Sequence, residues 1–228
     1  MCHVRSIPEA GLNIPSTANT KLMTVVFDLD YTLLDTGEFK KCLCEALGIT
    51  GEDFKAHSVS LFSDPSHPHY ELDRHIEFLA ENDPVKIRDL HERCRTMVHA
   101  RMDSFLFPES AEVIQAFHEA GWQVHLMTLG APAFQEWKVS GLSTILHYFH
   151  RTIYVGTRKV EFLADYANSS EKAVFVNDNA RESLEILGEL PSLKLVLIDG
   201  GYCDNAEHNL KRFKLDQITP CLFAEEGW

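Results

Sequence analysis

The feature that most constrains the fold is the run Val25-Val26-Phe27-Asp28-Leu29-Asp30-Tyr31-Thr32-Leu33-Leu34. Before Asp28 it is apolar at successive positions instead of alternating, which suits a strand covered on both faces in a parallel sheet. Such a strand has one chemically useful place, its carboxyl end, where the backbone leaves the core. Asp28 stands at that exit. Asp30, two residues on, keeps the same facing if the extended conformation persists. Two carboxylates held this close repel, so one is neutralised by a cation or kept protonated. An aspartate nucleophile beside an aspartate acid/base, with a divalent cation between them, exploits that arrangement. The plainer alternative is a pair of turn aspartates capping the next helix.

Further along, apolar segments of two periods alternate. Asp35-Thr36-Gly37 leads into a helical pattern over 38–47 that ends at Gly48. From there to about Phe105 the pattern is helical with no convincing strand, including 69–80 and a helix opened by Pro84 that runs to about Met102. The α/β pattern resumes at Pro108. Helices are expected over 110–120, 133–139, 159–166 and 181–187, and strands over 122–127, 151–155, 173–176 and 193–198. Residues 142–149 give a mixed signal, and the last 25 residues are not placed. Strands alternating with helices of this length imply βαβ units and a parallel sheet. The expected fold is α/β, a doubly wound parallel sheet in which 23–36 and 106–228 form a Rossmann-like core. Residues 37–105 form an inserted all-helical cap over its carboxyl edge, and 1–22 form a loose leader.

Composition narrows the partners. The formal charge of -13 argues against nucleic acid, which is bound through clustered Lys and Arg. A negative chain can still bind a phosphate ester where a local cation reverses the field, which favours a metal. Cys2, Cys42, Cys44, Cys94, Cys203 and Cys221 lack Cys-x-x-Cys spacing and read as reduced thiols of a cytoplasmic protein. No apolar stretch is long enough to span a membrane, and residues 1–22 lack the apolar centre of a signal peptide.

Phosphoryl transfer needs a nucleophile, a proton donor for the leaving oxygen, and positive charge for the transferring group. The strand ends offer candidates for all three. Phe27-Asp28-Leu29-Asp30-Tyr31-Thr32-Leu33 resembles the first motif of the haloacid dehalogenase-like (HAD) hydrolase superfamily, most of whose members are phosphatases. The resemblance runs from about Met23 to about Gly200. It implies that Asp28 is the nucleophile and that Asp30 is the acid/base, with its pKa poised upward and its main-chain carbonyl on the metal. The founding dehalogenases lack an acid at the second position, so Asp30 favours phosphate chemistry.

The same resemblance makes Thr128 the hydroxyl that binds a phosphate oxygen, although Leu129 stands where many relatives have Asn. Gly130 keeps the backbone free to approach an anion. Lys159 resembles the lysine that neutralises nucleophile and phosphate; Val160 follows it where Pro is common, and Arg158 is a weaker candidate for the same charge. Asp178 resembles the fourth-motif metal acid, preceded by Asn177 in place of a common Gly. With Asp28 and the Asp30 carbonyl it suits Mg²⁺. Glu182 fits either an acid-x-x-x-acid metal variant or a capping box with Asn179. His67, His69, Arg74, Arg95 and Arg101 read as surface residues of the cap.

The implied function is a Mg²⁺-dependent phosphatase acting on a small phosphorylated metabolite through an aspartyl-phosphate. A phosphomutase of the same superfamily, or a catalytically idle binding protein on its scaffold, would share the motifs.

Overall fold

In a computed structural model the described residues are 23–63, 68–169, 172–199 and 210–225. The expected leader 1–22, together with His67, Gly200, Gly201 and Cys203, lies outside the described residues. The core is one sheet of six strands, all pairs parallel, in the order β3-β2-β1-β4-β5-β6. Its strands are β1 (Met23–Phe27), β2 (Gln123–Leu129), β3 (Arg151–Val155), β4 (Lys172–Asn177), β5 (Lys194–Ile198) and β6 (Arg212–Phe213).

Both faces of the central strand are covered, as its unbroken apolar run requires. Val25 and Phe27 belong to one apolar cluster and Val26 to a second. The first cluster takes Val113, Ile114 and Phe117 from α5 (Ser110–Glu119) and Val139 from α6 (Pro132–Ser140). The second takes Val160 and Leu163 from α7 (Lys159–Asn168) and Ile186 from α8 (Ala180–Glu189). The result is a doubly wound sheet between two helical layers. The unplaced tail also joins the core: β6 extends the sheet, and Leu215, Ile218 and Phe223 pack into the first cluster. Phe223 lies on α9 (Pro220–Glu225).

Between β1 and α5 the chain is helical, with α1 (Thr36–Leu47), α2 (Gly51–Phe62), α3 (Leu72–Ala80) and α4 (Pro84–Met97). Helix α1 opens on the Asp35 carboxylate and closes at Gly48, whose φ of 74° puts it in the left-handed region that glycine tolerates. The helix begun by Pro84 is shorter than its periodicity suggests. It ends at Met97, and the chain tightens into a 3₁₀ helix over His99–Phe105 that buries Met102 and Phe105. The two crossings into and out of this insert lie side by side. Leu34 bridges Leu106 antiparallel, Asp35 N donates to Phe105 O at 2.7 Å, and Phe107 N donates to Leu33 O at 2.9 Å. Among the described residues no helix is long and apolar enough to cross a membrane.

Candidate active site

Strand order and register decide what meets at the carboxyl edge. Phe27 aligns with Leu126 of β2 on one side and Val176 of β4 on the other, so the exits of three neighbouring strands lie together. Asp28 N donates to Val176 O at 2.9 Å, which fixes the nucleophile candidate at the edge of the ladder. Beyond it the chain makes a tight turn. Thr32 N, Leu33 N and Leu34 N all point at Leu29 O, and Tyr31 takes a φ of 57°.

Asp28, Asp30, Lys159 and Asp178 line one cleft of about 240 Å³, together with Glu182 and Asn179. The Lys159 ammonium lies 2.9 Å from Asp28 Oδ1 and 3.0 Å from Glu182 Oε2, with its side chain almost wholly buried. Glu182 stands at the capping position, but its carboxylate turns into the cleft. Asn179 caps α8 by accepting from Glu182 N, while the Glu182 carboxylate takes the Lys159 ammonium and the Asn177 amide. Thr32 Oγ1 donates to Asp178 Oδ1 over a long 3.4 Å, and Arg212 of β6 donates to Asp178 O.

Charge in this cleft is out of balance: Asp28, Asp178 and Glu182 gather around the one ammonium of Lys159, while Asp30 has a lysine of its own. Burial pushes the Asp28 carboxyl up to about 6, against the pull of Lys159 and with help from Glu182 and Asp30. Burial and then the Asp28 charge push Asp178 up to about 7. Burial alone would lower Lys159, but Asp28 and Glu182 outweigh it and hold the lysine above its ordinary range. Asp28, Asp178 and Lys159 thus all hold their protons more tightly than usual, the two acids through burial first and neighbouring negative charge second, the lysine through its two carboxylate partners. A cation relieves that surplus. The donors offered are hard oxygens, which fits Mg²⁺. Among the described residues no three His, Cys, Asp or Glu side chains form a metal cage by themselves.

Asp30 departs from expectation. Burial would raise its pKa, but the Lys138 ammonium lies 2.7 Å from both of its oxygens, Thr36 Oγ1 donates at 2.8 Å, and together they hold it below the usual carboxylate range. Lys138 went unrecognised in the sequence because a helical lysine is ordinarily solvated; here its side chain is 2% exposed. It also sits over the rings of Phe39 and Phe134.

The structure does not bring Thr128 or Gly130 to the wall of that cleft. Thr128 is fully buried and donates to Gln135 Oε1 at 3.0 Å, and Gln135 in turn donates to Leu129 O. Gly130, at φ 149°, is needed for a different close approach than the one expected, since a Cβ there would meet Gln135 Nε2 at 2.4 Å. Gly130 lines a second cavity beside the cleft. Arg158 points away, paired with Glu185 and Glu189 on α8. His69 is no mere surface residue: its Nε2 lies 2.9 Å from Gly156 O, joining the insert to the loop before Lys159. Arg95 pairs with Glu92 on the exposed face of α4, as expected for a surface residue.

No protein-family model and no curated protein sequence matches the chain. Solved structures do. A protein from Burkholderia xenovorans assigned as a haloacid dehalogenase-like hydrolase superposes with a TM-score of 0.66 at 14% identity, covering 86% of this chain and 96% of that one. The 2-haloacid dehalogenase of Pseudomonas syringae pv. tomato gives 0.60 at 18%, covering 90% and 99%. A Bacillus subtilis HAD-hydrolase solved bound to magnesium gives 0.57 at 15%, covering 87% and 97%. The chain therefore has the fold of the HAD-like hydrolases.

Proposed function

We propose that this chain is a Mg²⁺-dependent phosphatase that hydrolyses a small phosphate monoester through an aspartyl-phosphate. The observation that carries this reading is the single cleft in which the Asp28 and Asp178 carboxylates meet one buried ammonium, with Asp30 at its border. In the first step an Asp28 oxygen bonds to phosphorus as the bond to the leaving oxygen breaks, and Asp30 gives that oxygen its proton. In the second, Asp30 takes a proton from the water that attacks phosphorus, and Asp28 is released. Lys159 neutralises the nucleophile and the transferring oxygens, with Glu182 holding its side chain in place. Thr128 would contact a phosphoryl oxygen by exchanging its bond to Gln135. Magnesium, held by Asp28, Asp178 and the main-chain carbonyl of Asp30, would supply positive charge to the phosphoryl group.

Asp30 must be protonated to act first as an acid, yet Lys138 favours its ionised form. A dianionic ester beside Asp30 raises its proton affinity and opposes Lys138. The same pairing suits the second step, in which Asp30 is the base. The test is a phosphate-monoester screen with magnesium or with EDTA. Asp28→Asn should lose turnover by several orders of magnitude while keeping its circular dichroism spectrum. Unchanged turnover in that variant would remove Asp28 from its role.

A further inference from the structure

Asp30, Tyr31 and Leu129 form a shared partition. On one side lies the cleft with Asp28, Lys159 and Asp178, and on the other a cavity of about 370 Å³ between the inserted helices and the sheet edge. For an ester whose phosphorus faces Asp28, and whose leaving oxygen takes its proton from Asp30, that second cavity on the far side of Asp30 is the space that receives the leaving group. The chemistry of the cavity wall therefore bears on the alcohol that leaves.

The wall is aromatic and already assembled. Phe54 of α2 stacks on Tyr70 at 5.2 Å between ring centroids, Tyr70 meets Phe134 of α6 edge-on at 4.8 Å, and Phe134 lies 6.2 Å from Phe39 of α1. Insert and core thus contribute to one continuous face, which begins where Lys138 holds Asp30. Against that face stands one buried polar atom without a partner, Ser58 Oγ of α2. The other polar groups of the lining are already engaged, Lys138 and Thr36 on Asp30, Lys40 on Tyr31, His69 on Gly156 and Gln135 on Thr128, so the hydroxyls of a polyol would compete for occupied partners. A flat apolar body would gain ring contacts along the wall.

Building on the phosphatase reading, we infer that the leaving group is an aromatic-bodied alcohol, lying along Phe39, Phe134, Tyr70 and Phe54 with room for one hydrogen-bonding substituent at Ser58. Volume agrees, since the cavity falls at the lower end of the range for small-molecule sites, roughly 300–1,000 Å³.

The test separates this inference from the reading beneath it by measuring binding and turnover independently. Benzylphosphonate, which cannot be hydrolysed at its P–C bond, is compared with methylphosphonate by calorimetric titration of the wild-type protein in magnesium. Benzyl phosphate is compared with methyl and glycerol phosphates in turnover. All three esters have alkyl leaving groups, so the intrinsic reactivity of an aryl ester does not enter. The expected result is at least about tenfold tighter binding of the benzyl probe and a similar advantage in kcat/KM, expressed mainly in KM. The conservative variant Phe54→Leu, and separately Phe134→Leu, should shrink the benzyl-to-methyl ratio. Equal binding of the two phosphonates, or a preference for the glycerol ester, overturns the inference even if hydrolysis is vigorous. Tight benzylphosphonate binding without turnover of any ester leaves the aromatic site standing and overturns the phosphatase reading.

Discussion

Lys138 of α6 and Asp30, 108 residues earlier, form a bidentate ion pair at 2.7 Å to each carboxylate oxygen, with the lysine side chain only 2% exposed. An acid at this position is expected to be poised for protonation, and this one is held ionised. The pair fixes Asp30 on the border between the cleft of Asp28 and Lys159 and the aromatic cavity, and it has a cost that can be measured.

Lys138→Met removes the ammonium and leaves a largely enclosed carboxylate without its main partner. It should destabilise the fold by about 2–4 kcal/mol, read as a lower urea midpoint at unchanged slope. Adding Asp30→Asn to that variant should recover part of the loss. Strict additivity of the two single variants would show that the pair is not coupled.

Surplus negative charge in the cleft makes stability depend on pH and on magnesium together. Asp28 and Asp178 have folded pKa values above their unfolded value of 3.8, at about 6 and about 7. The native state therefore binds more protons than the unfolded chain, and this contribution to stability falls as pH rises through that window. A magnesium ion held by these carboxylates, as proposed, would remove the penalty by replacing the protons. The increase in Tm on adding magnesium should be larger at about pH 8 than at about pH 5, because the protonated site gains little. Comparing each pH with and without the ion cancels the opposite trend from buried His75, whose folded pKa of about 4 costs stability as pH drops below its unfolded value. An equal increment at both pH values would contradict this account.

Gly130→Ala should cost about 2 kcal/mol. The new methyl enters a backbone conformation that L-residues avoid and collides with Gln135, which cannot swing aside without giving up its bonds to Thr128 and Leu129. Thermal unfolding checks this, and a neutral result would mean that Gln135 has another place to go.

Glu182→Gln takes one carboxylate away from Asp28 and Lys159. Because Glu182 raises the Asp28 pKa, its neutralisation should move the acid limb of the kcat/KM profile to lower pH by a fraction of a unit. Lys159 keeps Asp28 as a partner, so the fold should survive. A limb that stays in place or moves up would refute the charge argument.

How much of this was legible beforehand follows from where the information resides. Asp28, Lys159 and Asp178 could be located because each follows an apolar strand and a parallel sheet collects strand ends. Lys138 could not, because its partner lies in the turn after β1, reached only through tertiary packing, and a helical lysine carries no local mark. The one available hint was spacing: Gln135 and Lys138, three apart, share a face of α6 with buried Val139 nearby. Helix α2 went unnamed because it buries none of its residues and so shows weak periodicity, although Thr50 and Asp53 spell its capping box. The sheet's sixth strand has only two residues, too few for any alternation to register. Asp30's low proton affinity was equally hidden, since the motif supplies the acid while α6 supplies the charge that restrains it.

The chain enters and leaves the insert through one doorway. Leu34 and Leu106 face each other as its two jambs, and the backbone bonds at Asp35–Phe105 and Leu33–Phe107 hold the frame shut. That doorway sets the spacing of the two crossings, while Thr36 on Asp30 and His69 on Gly156 O tie the insert to the sheet edge a second time. A different assembly whose ends stand equally close would have to replace both of those ties as well, or Asp30 and the loop before Lys159 would each lose a partner.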